Sequence, residues 1–228
     1  MDTIRSRLQQ VQHRISVAER LYGRKTGSVT LLAISKGKSV DEIKAAYDAG
    51  QRRFGESYIQ EALTKIQPLS SHDIEWHFIG PIQSNKTRHI ARYFSWVHSV
   101  DRVKIAKRLN DQRPPTAPPL NICLQINISN EATKAGVDYD DLAMLAQEIK
   151  SFERLRLRGL MAIPAPAENI QQQRHMYMKV RQAQQELIAA GWKLDTLSMG
   201  MSGDMEAAIA EGATIVRIGT AIFGERDL

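Results

Sequence analysis

Cysteine is almost absent from this chain. Cys123 is the one thiol in 228 residues, so no internal disulfide can brace the fold, and a reducing compartment, the cytoplasm, is the expected home. Long apolar runs are absent as well. No stretch reaches the roughly 20 apolar residues that span a bilayer, and the N-terminal MDTIRSRLQQVQHRI is too polar for a secretion signal. No membrane partner is expected. Metal-ligand spacing is missing too: His72, His77, His89 and His98 fall into no register with a cysteine or a carboxylate pair, which argues against a metal site. Blocks of like charge are also lacking. The net charge is +6, but acids are interspersed and no basic–aromatic alternation occurs, so nucleic acid is not an expected partner. A diffuse positive balance still favours a small anionic ligand.

What is present is alternation. Aromatics are only 6% of the chain while hydrophobic residues reach 43%, the aliphatic economy of proteins with parallel inner strands. Short apolar runs at 29–35, 52–55, 75–80, 96–100, 121–129, 155–163, 196–200 and 214–219 read as eight strands. Helical periodicity fills the intervals. Ser39 with Glu42 makes a capping box closed by Gly50, and Asp101 stands where it can cap the next helix but two. Leu142, Leu145, Ala146 and Ile149 share a helical face, and Asp204 and Gly212 bracket another helix.

Strand–helix alternation implies right-handed parallel crossovers. Eight such units in about 200 residues predict an α/β fold, a single (β/α)8 TIM barrel domain over residues 1–228. Ile4, Leu8, Val11, Ile15 and Ala18 lie at helical spacing and form an extra N-terminal helix. The last strand runs so close to residue 228 that this extra helix is expected to cover the barrel there. Half of the eight prolines lie in RPPTAPPL, 113–120; strand patterning on both sides makes it a loop inside the domain.

In such barrels chemistry gathers where strands end. Lys36 follows the first strand in LLAISKGKS. It is either a solvated strand-end lysine or a reactive one, because partly apolar surroundings weaken the ammonium form and a neutral amine attacks an aldehyde. SMGMSGDMEAAI, 198–209, combines backbone N–H groups at a helix start with the Ser202 hydroxyl, an anion site unless it is an ordinary glycine turn. VRIGTAIFG, 216–224, puts Arg217 inside an apolar strand, where a guanidinium needs a partner, outside or inside the barrel. Gly219 and Thr220 then stand at the rim, where bare amides approach a phosphate. These are the loops after strands seven and eight, a usual phosphate grip in barrels. The closed barrel sets strand eight beside strand one. A ligand with an aldehyde and a phosphate satisfies both ends: pyridoxal 5′-phosphate, or the substrate of a Schiff-base sugar-phosphate aldolase.

LLAISK, FGESYIQEA, WHFIGPIQSNK, LRLRGLMAIPAP, SMGMSGDMEAAI and VRIGTAIFG follow in order along nearly the whole chain. In them the sequence resembles the pyridoxal phosphate homeostasis protein family, PLP-binding barrels similar to the N-terminal domain of bacterial alanine racemase. The resemblance implies that Lys36 carries pyridoxal 5′-phosphate as an internal aldimine and that Ser202, Gly219 and Thr220 hold its phosphate. It also implies that Arg217 lies by the pyridine ring. An arginine keeps its proton, which leaves the ring nitrogen unprotonated and the cofactor a weak electron sink. Two positions depart from the family pattern: Ser57 replaces the usual Asn after Gly-Glu, and Gly203 replaces a common Asp after Gly-Met-Ser.

The implied role is non-catalytic: buffering pyridoxal phosphate or delivering it to PLP-dependent apoenzymes, as part of vitamin B6 homeostasis, by a monomer. The alternative is an amino-acid racemase, which needs an acid/base group on each face of the cofactor. Alanine racemase takes one from a second domain for which the barrel leaves no room here. Tyr47 and Tyr58 are the candidates within the barrel, Tyr58 nearer the rim. Other residues have plain readings. His77 lines the barrel mouth or is a hydrogen-bonded core histidine. Asn85 and Lys86 frame the cleft, and Lys38 either lowers the basicity of Lys36 or is solvated.

Overall fold

Each apolar run becomes a strand with adjusted ends. The computed structural model describes residues 3–128 and 135–225. Its strands are β1 (Thr30–Ile34), β2 (Arg53–Glu56), β3 (Glu75–Phe78), β4 (Trp96–Val100), β5 (Leu120–Gln125), β6 (Leu155–Met161), β7 (Thr196–Ser198) and β8 (Ile215–Ile218). They pair in parallel in chain order, and β8 closes on β1, so the barrel expected from the alternation is present. Most runs overshoot because their last residues leave the ladder for the rim loops, as Ser35, Gly200 and Gly219 do. The expected end of the fifth run, Ser129, lies outside the described residues.

The helices between are α1 (Ile4–Leu21), α2 (Val40–Asp48), α3 (Ile59–Ile66), α4 (Thr87–Tyr93), α5 (Val103–Gln112), α6 (Leu142–Ile149), α7 (Ile170–Ala189), α8 (Met205–Ala210) and α9 (Thr220–Phe223). Side chains alternate across each strand, and β1 shows both destinations. Leu31 and Ala33 join the core between sheet and helices, whereas Leu32 and Ile34 point into the barrel with Trp96, Cys123, Met161 and Ile215. Burial there pushes the Cys123 thiol up to about 12, which keeps it an inert core group.

α1 does cover the closing seam. It packs on α8 and α9, burying Leu8, Val11, Ile15 and Ala18; each larger aliphatic among them contributes about 1.5–3 kcal/mol. Near its end Glu19, 1% exposed, accepts from the N–H groups of Gly27 and Val29 and so turns the chain into β1. The Ser39–Glu42 capping box of α2 is formed. Asp101, by contrast, does not cap α5. Arg102 occupies the N-cap position and its guanidinium takes the Asp101 carboxylate at 2.7 Å, a local competitor stronger than the neutral N–H groups. The proline segment is a loop of the barrel, pinned by buried Arg113, which donates to the carbonyls of Ala91, Phe94 and Pro118. No helix among the described residues is long and apolar enough to cross a membrane.

Candidate ligand site at the C-terminal mouth

β1 and β8 run side by side, Leu32 opposite Arg217 and Ala33 opposite Ile218, so the loops that follow them leave the barrel together. Lys36 lies in the turn just after β1 and is half-buried. The residues on either side of it are gripped from below. Lys65 of α3, 3% exposed, donates to the Ser35 carbonyl at 2.7 Å, to Glu56 Oε1 at 2.8 Å and to Glu61 Oε1 at 2.5 Å. The Ser35 hydroxyl donates to Glu56, and the Gly37 N–H donates to Glu61. Burial pushes the Glu56 carboxyl up, against the pull of Lys65. Neither Glu56, Glu61 nor Lys65 was singled out from the sequence. The signal was there, since Glu61 and Lys65 stand four apart on the helix after β2.

The β7–α8 loop is shaped by its acid. Gly200 has φ +96°, and a Cβ there would stand 2.6 Å from the Ala208 Cβ, so a glycine is needed. Asp204 turns back instead of capping α8 forward. It accepts from the Met201 N–H at 2.6 Å and from the Tyr177 hydroxyl at 2.8 Å. Arg14 of α1 pairs with Glu206 and donates to the Ser202 carbonyl. The Met201 N–H is therefore committed, but among the described residues the N–H groups of Ser202 and Gly203 meet no protein acceptor. The same holds for Gly219, Thr220 and Ala221 in the β8–α9 turn. Gly219 lies tight against β1; an added Cβ would stand 3.3 Å from the Ile34 carbonyl oxygen. Two groups of open donors thus follow the neighbouring strands β7 and β8, on the side of β1 where β8 closes the barrel.

Arg217 points inward. It is 4% exposed, and its guanidinium donates to the Ser198 carbonyl (2.5 Å), the Ser198 hydroxyl (2.9 Å) and the Ala162 carbonyl (2.9 Å). Its Nε–H and one Nη2 hydrogen have no protein acceptor among the described residues. Lys38 is not solvated. It is buried and latches the loop to the chain beyond α9 through the carbonyls of Phe223 and Glu225, with Glu42 at 3.5 Å. Barrel closure brings those carbonyls to it, which local sequence cannot reveal.

The tyrosines are poorly placed for proton transfer. Tyr47 lies on outer helix α2 under the Arg52 guanidinium, and Tyr58 is 61% exposed at the start of α3. Tyr177 lies by the β7–α8 loop, but burial and the Asp204 carboxylate push its hydroxyl far up. Lys86 lines a cleft of about 160 Å3 with Ser57, Tyr58 and Gln83. At Gly203 a Cβ would meet nothing within 4 Å, so space does not dictate that departure from the family pattern.

A model of the family described as alanine racemase, N-terminal domain, matches residues 6–227. The pyridoxal phosphate homeostasis protein of Pseudomonas aeruginosa is 53% identical, over 100% of this chain and 97% of that protein. Its namesake in Escherichia coli K12 is 52% identical, over 100% and 98%. PipY of Synechococcus elongatus, solved with PLP bound, superposes with a TM-score of 0.84 at 35% identity, over 97% of this chain and 100% of that one. Alanine racemase of Corynebacterium glutamicum shares the fold, with a TM-score of 0.70 at 15% identity, and this chain spans 62% of it.

Proposed function

This chain belongs to the pyridoxal phosphate homeostasis protein family, and from that premise we propose that it binds pyridoxal 5′-phosphate at the C-terminal mouth of its barrel. The residues there fit the group. Lys36 would supply the amine that holds the group through its aldehyde. Ser202, Gly219 and Thr220 hold the phosphate, through the serine hydroxyl and the backbone N–H groups that lack acceptors within the described chain. Arg217 would lie by the pyridine ring and offer it the N–H hydrogens left over from Ser198 and Ala162. The cofactor, when bound, supplies an electrophilic aldehyde and a ring able to accept electron density. The observation that carries the reading is the β1–β8 pairing, which brings a half-buried amine beside a turn of open N–H donors.

Within that reading the protein is a carrier and not a catalyst. A two-base reaction needs a second proton-transferring group at the reacting carbon. Tyr58 projects into solvent and Tyr177 is tied to Asp204, so neither serves as one. A monomeric barrel that holds the cofactor reversibly in the cytoplasm buffers its free level and releases it to apoenzymes.

Borohydride reduction after incubation with pyridoxal phosphate, followed by peptide mass analysis, tests the attachment. The adduct is expected on Lys36, and Lys36→Ala is expected to lose the visible absorption band. An adduct on Lys38 or another lysine overturns the assignment. Chiral analysis after incubation with single L-amino acids tests the carrier role, and enzyme-like turnover overturns it.

A further inference from the structure

Arg217 is one end of a line of polar side chains that crosses the barrel interior. Its Nη1 donates to the Ser198 hydroxyl at 2.9 Å. That hydroxyl lies 2.7 Å from His98 Nδ1. His98 Nε2 lies 2.9 Å from His77 Nδ1, and His77 Nε2 lies 2.9 Å from Glu75 Oε1 at the opposite mouth. Ser198, His98 and His77 are buried, and Trp96 stacks on the His77 ring at 5.4 Å. Four strands contribute: β3 gives Glu75 and His77, β4 His98, β7 Ser198 and β8 Arg217.

The two ends dictate the direction. A guanidinium only donates, and a carboxylate only accepts. With Arg217 donating to Ser198, the serine proton goes to His98 Nδ1. His98 then carries its proton on Nε2 and gives that hydrogen bond to His77 Nδ1. His77 in turn carries its proton on Nε2 and donates to Glu75. The reverse order fails twice. It would leave the Ser198 proton buried with no acceptor, and it would set a bare imidazole nitrogen against the carboxylate. Burial favours the neutral form of both imidazoles, as this order requires. Because Arg217 does not give up a proton, the line cannot pass one to the C-terminal mouth. Its role is orientation.

We propose that Ser198, His98, His77 and Glu75 form a one-way hydrogen-bonded line, with both histidines fixed as the Nε2–H tautomer, that positions the Arg217 guanidinium for the ligand at the C-terminal mouth. The ligand part rests on the function proposed above; the direction of the line does not. Serine at 198 is small enough to reach both Arg217 and His98, and it is the link whose removal parts them.

The test begins with protein free of cofactor. Long-range 1H–15N correlation spectra of 15N-histidine-labelled protein at neutral pH are expected to show both His77 and His98 protonated at Nε2 alone. An Nδ1–H tautomer or an imidazolium at either residue overturns the line. Pyridoxal phosphate titration of Ser198→Ala and Ser198→Thr then tests the positioning. Ser198→Ala is expected to weaken binding about tenfold and shift the bound-cofactor absorption band, and Ser198→Thr, which restores the hydroxyl, is expected to recover both. Equal binding and spectra in Ser198→Ala and the unsubstituted protein overturn the positioning role. Should the unsubstituted protein take up no pyridoxal phosphate, the functional reading fails, while the tautomers still decide whether the line exists.

Discussion

The two mouths of this barrel treat polar groups in opposite ways. At the N-terminal mouth the charges answer one another around a cavity of about 400 Å3. Arg53 donates to Glu75 at 3.0 Å. Arg158 grips both oxygens of Asp195, donates to Asn121 and lies 4.7 Å from the Trp96 ring centroid. At the C-terminal mouth the ground is paired, through Lys65, Glu56 and Glu61, but the rim is not. There the N–H groups of Ser202, Gly203, Gly219, Thr220 and Ala221 meet no acceptor among the described residues. Satisfied groups stabilise a fold, and exposed unsatisfied donors are available to a ligand. On the function proposed above, one end of the barrel is built for closure and the other, on a rigid floor, for binding.

Substitutions should separate floor, rim and far mouth. The largest effect is expected from Lys65→Met, which leaves Glu56 buried beside Glu61 without its ammonium. Breaking such a buried pair costs about 3 kcal/mol, measured as a shift of the urea midpoint at unchanged slope. A loss below about 1 kcal/mol would put this pair in the class of surface ion pairs and remove the rigid floor from the comparison. Next is Ser202→Ala at the rim. Removing the hydroxyl that the proposed function assigns to the phosphate is expected to weaken pyridoxal phosphate binding about tenfold while leaving stability within about 0.5 kcal/mol. Arg158→Ala at the far mouth should do the converse. Its half-exposed ion pair is worth at most about 1 kcal/mol, and cofactor affinity is expected to stay the same. If Arg158→Ala weakened the cofactor as much as Ser202→Ala, the two mouths would not be functionally distinct.

The rim was legible in the sequence and the floor was not, for a physical reason. Lys36, Ser202, Gly219 and Thr220 stand in short motifs at strand ends, where position along the chain already tells position in a parallel barrel. The strands were legible from continuous apolar runs. The groups that hold Lys36 and Arg217 in place meet only when the barrel closes: Lys65 reaches Ser35 across 30 residues, and His98 reaches Ser198 across 100. Lys38 shows the same limit, since it meets the Phe223 carbonyl across 185 residues, whereas Asp101 is diverted by its own neighbour Arg102. The charged Arg102 guanidinium competes for the Asp101 carboxylate better than the neutral N–H groups of the helix start.

The smallest effects, and the most direct contrast between the ends, are in the sign of the pH dependence. At the N-terminal mouth, the hydrogen bond from His77, with Arg53 nearby, holds the Glu75 carboxyl below its ordinary range. Its contribution to stability is present above the ordinary carboxylate range and is lost as pH falls through the depressed value. Below the C-terminal mouth, burial holds Glu56 above its ordinary range. The folded protein binds that proton more readily than the unfolded chain, so this contribution is fully present at low pH and is lost as pH rises through the raised value. Urea midpoints measured against pH should therefore change in opposite directions. Glu75→Gln is expected to flatten the acid-side loss, by a small amount because Glu75 is partly exposed. Glu56→Gln is expected to remove a decline just above the ordinary carboxylate range. Should both substitutions flatten the same limb, the carboxylates at the two ends would share one environment, contrary to a paired, partly exposed far mouth set against a buried floor.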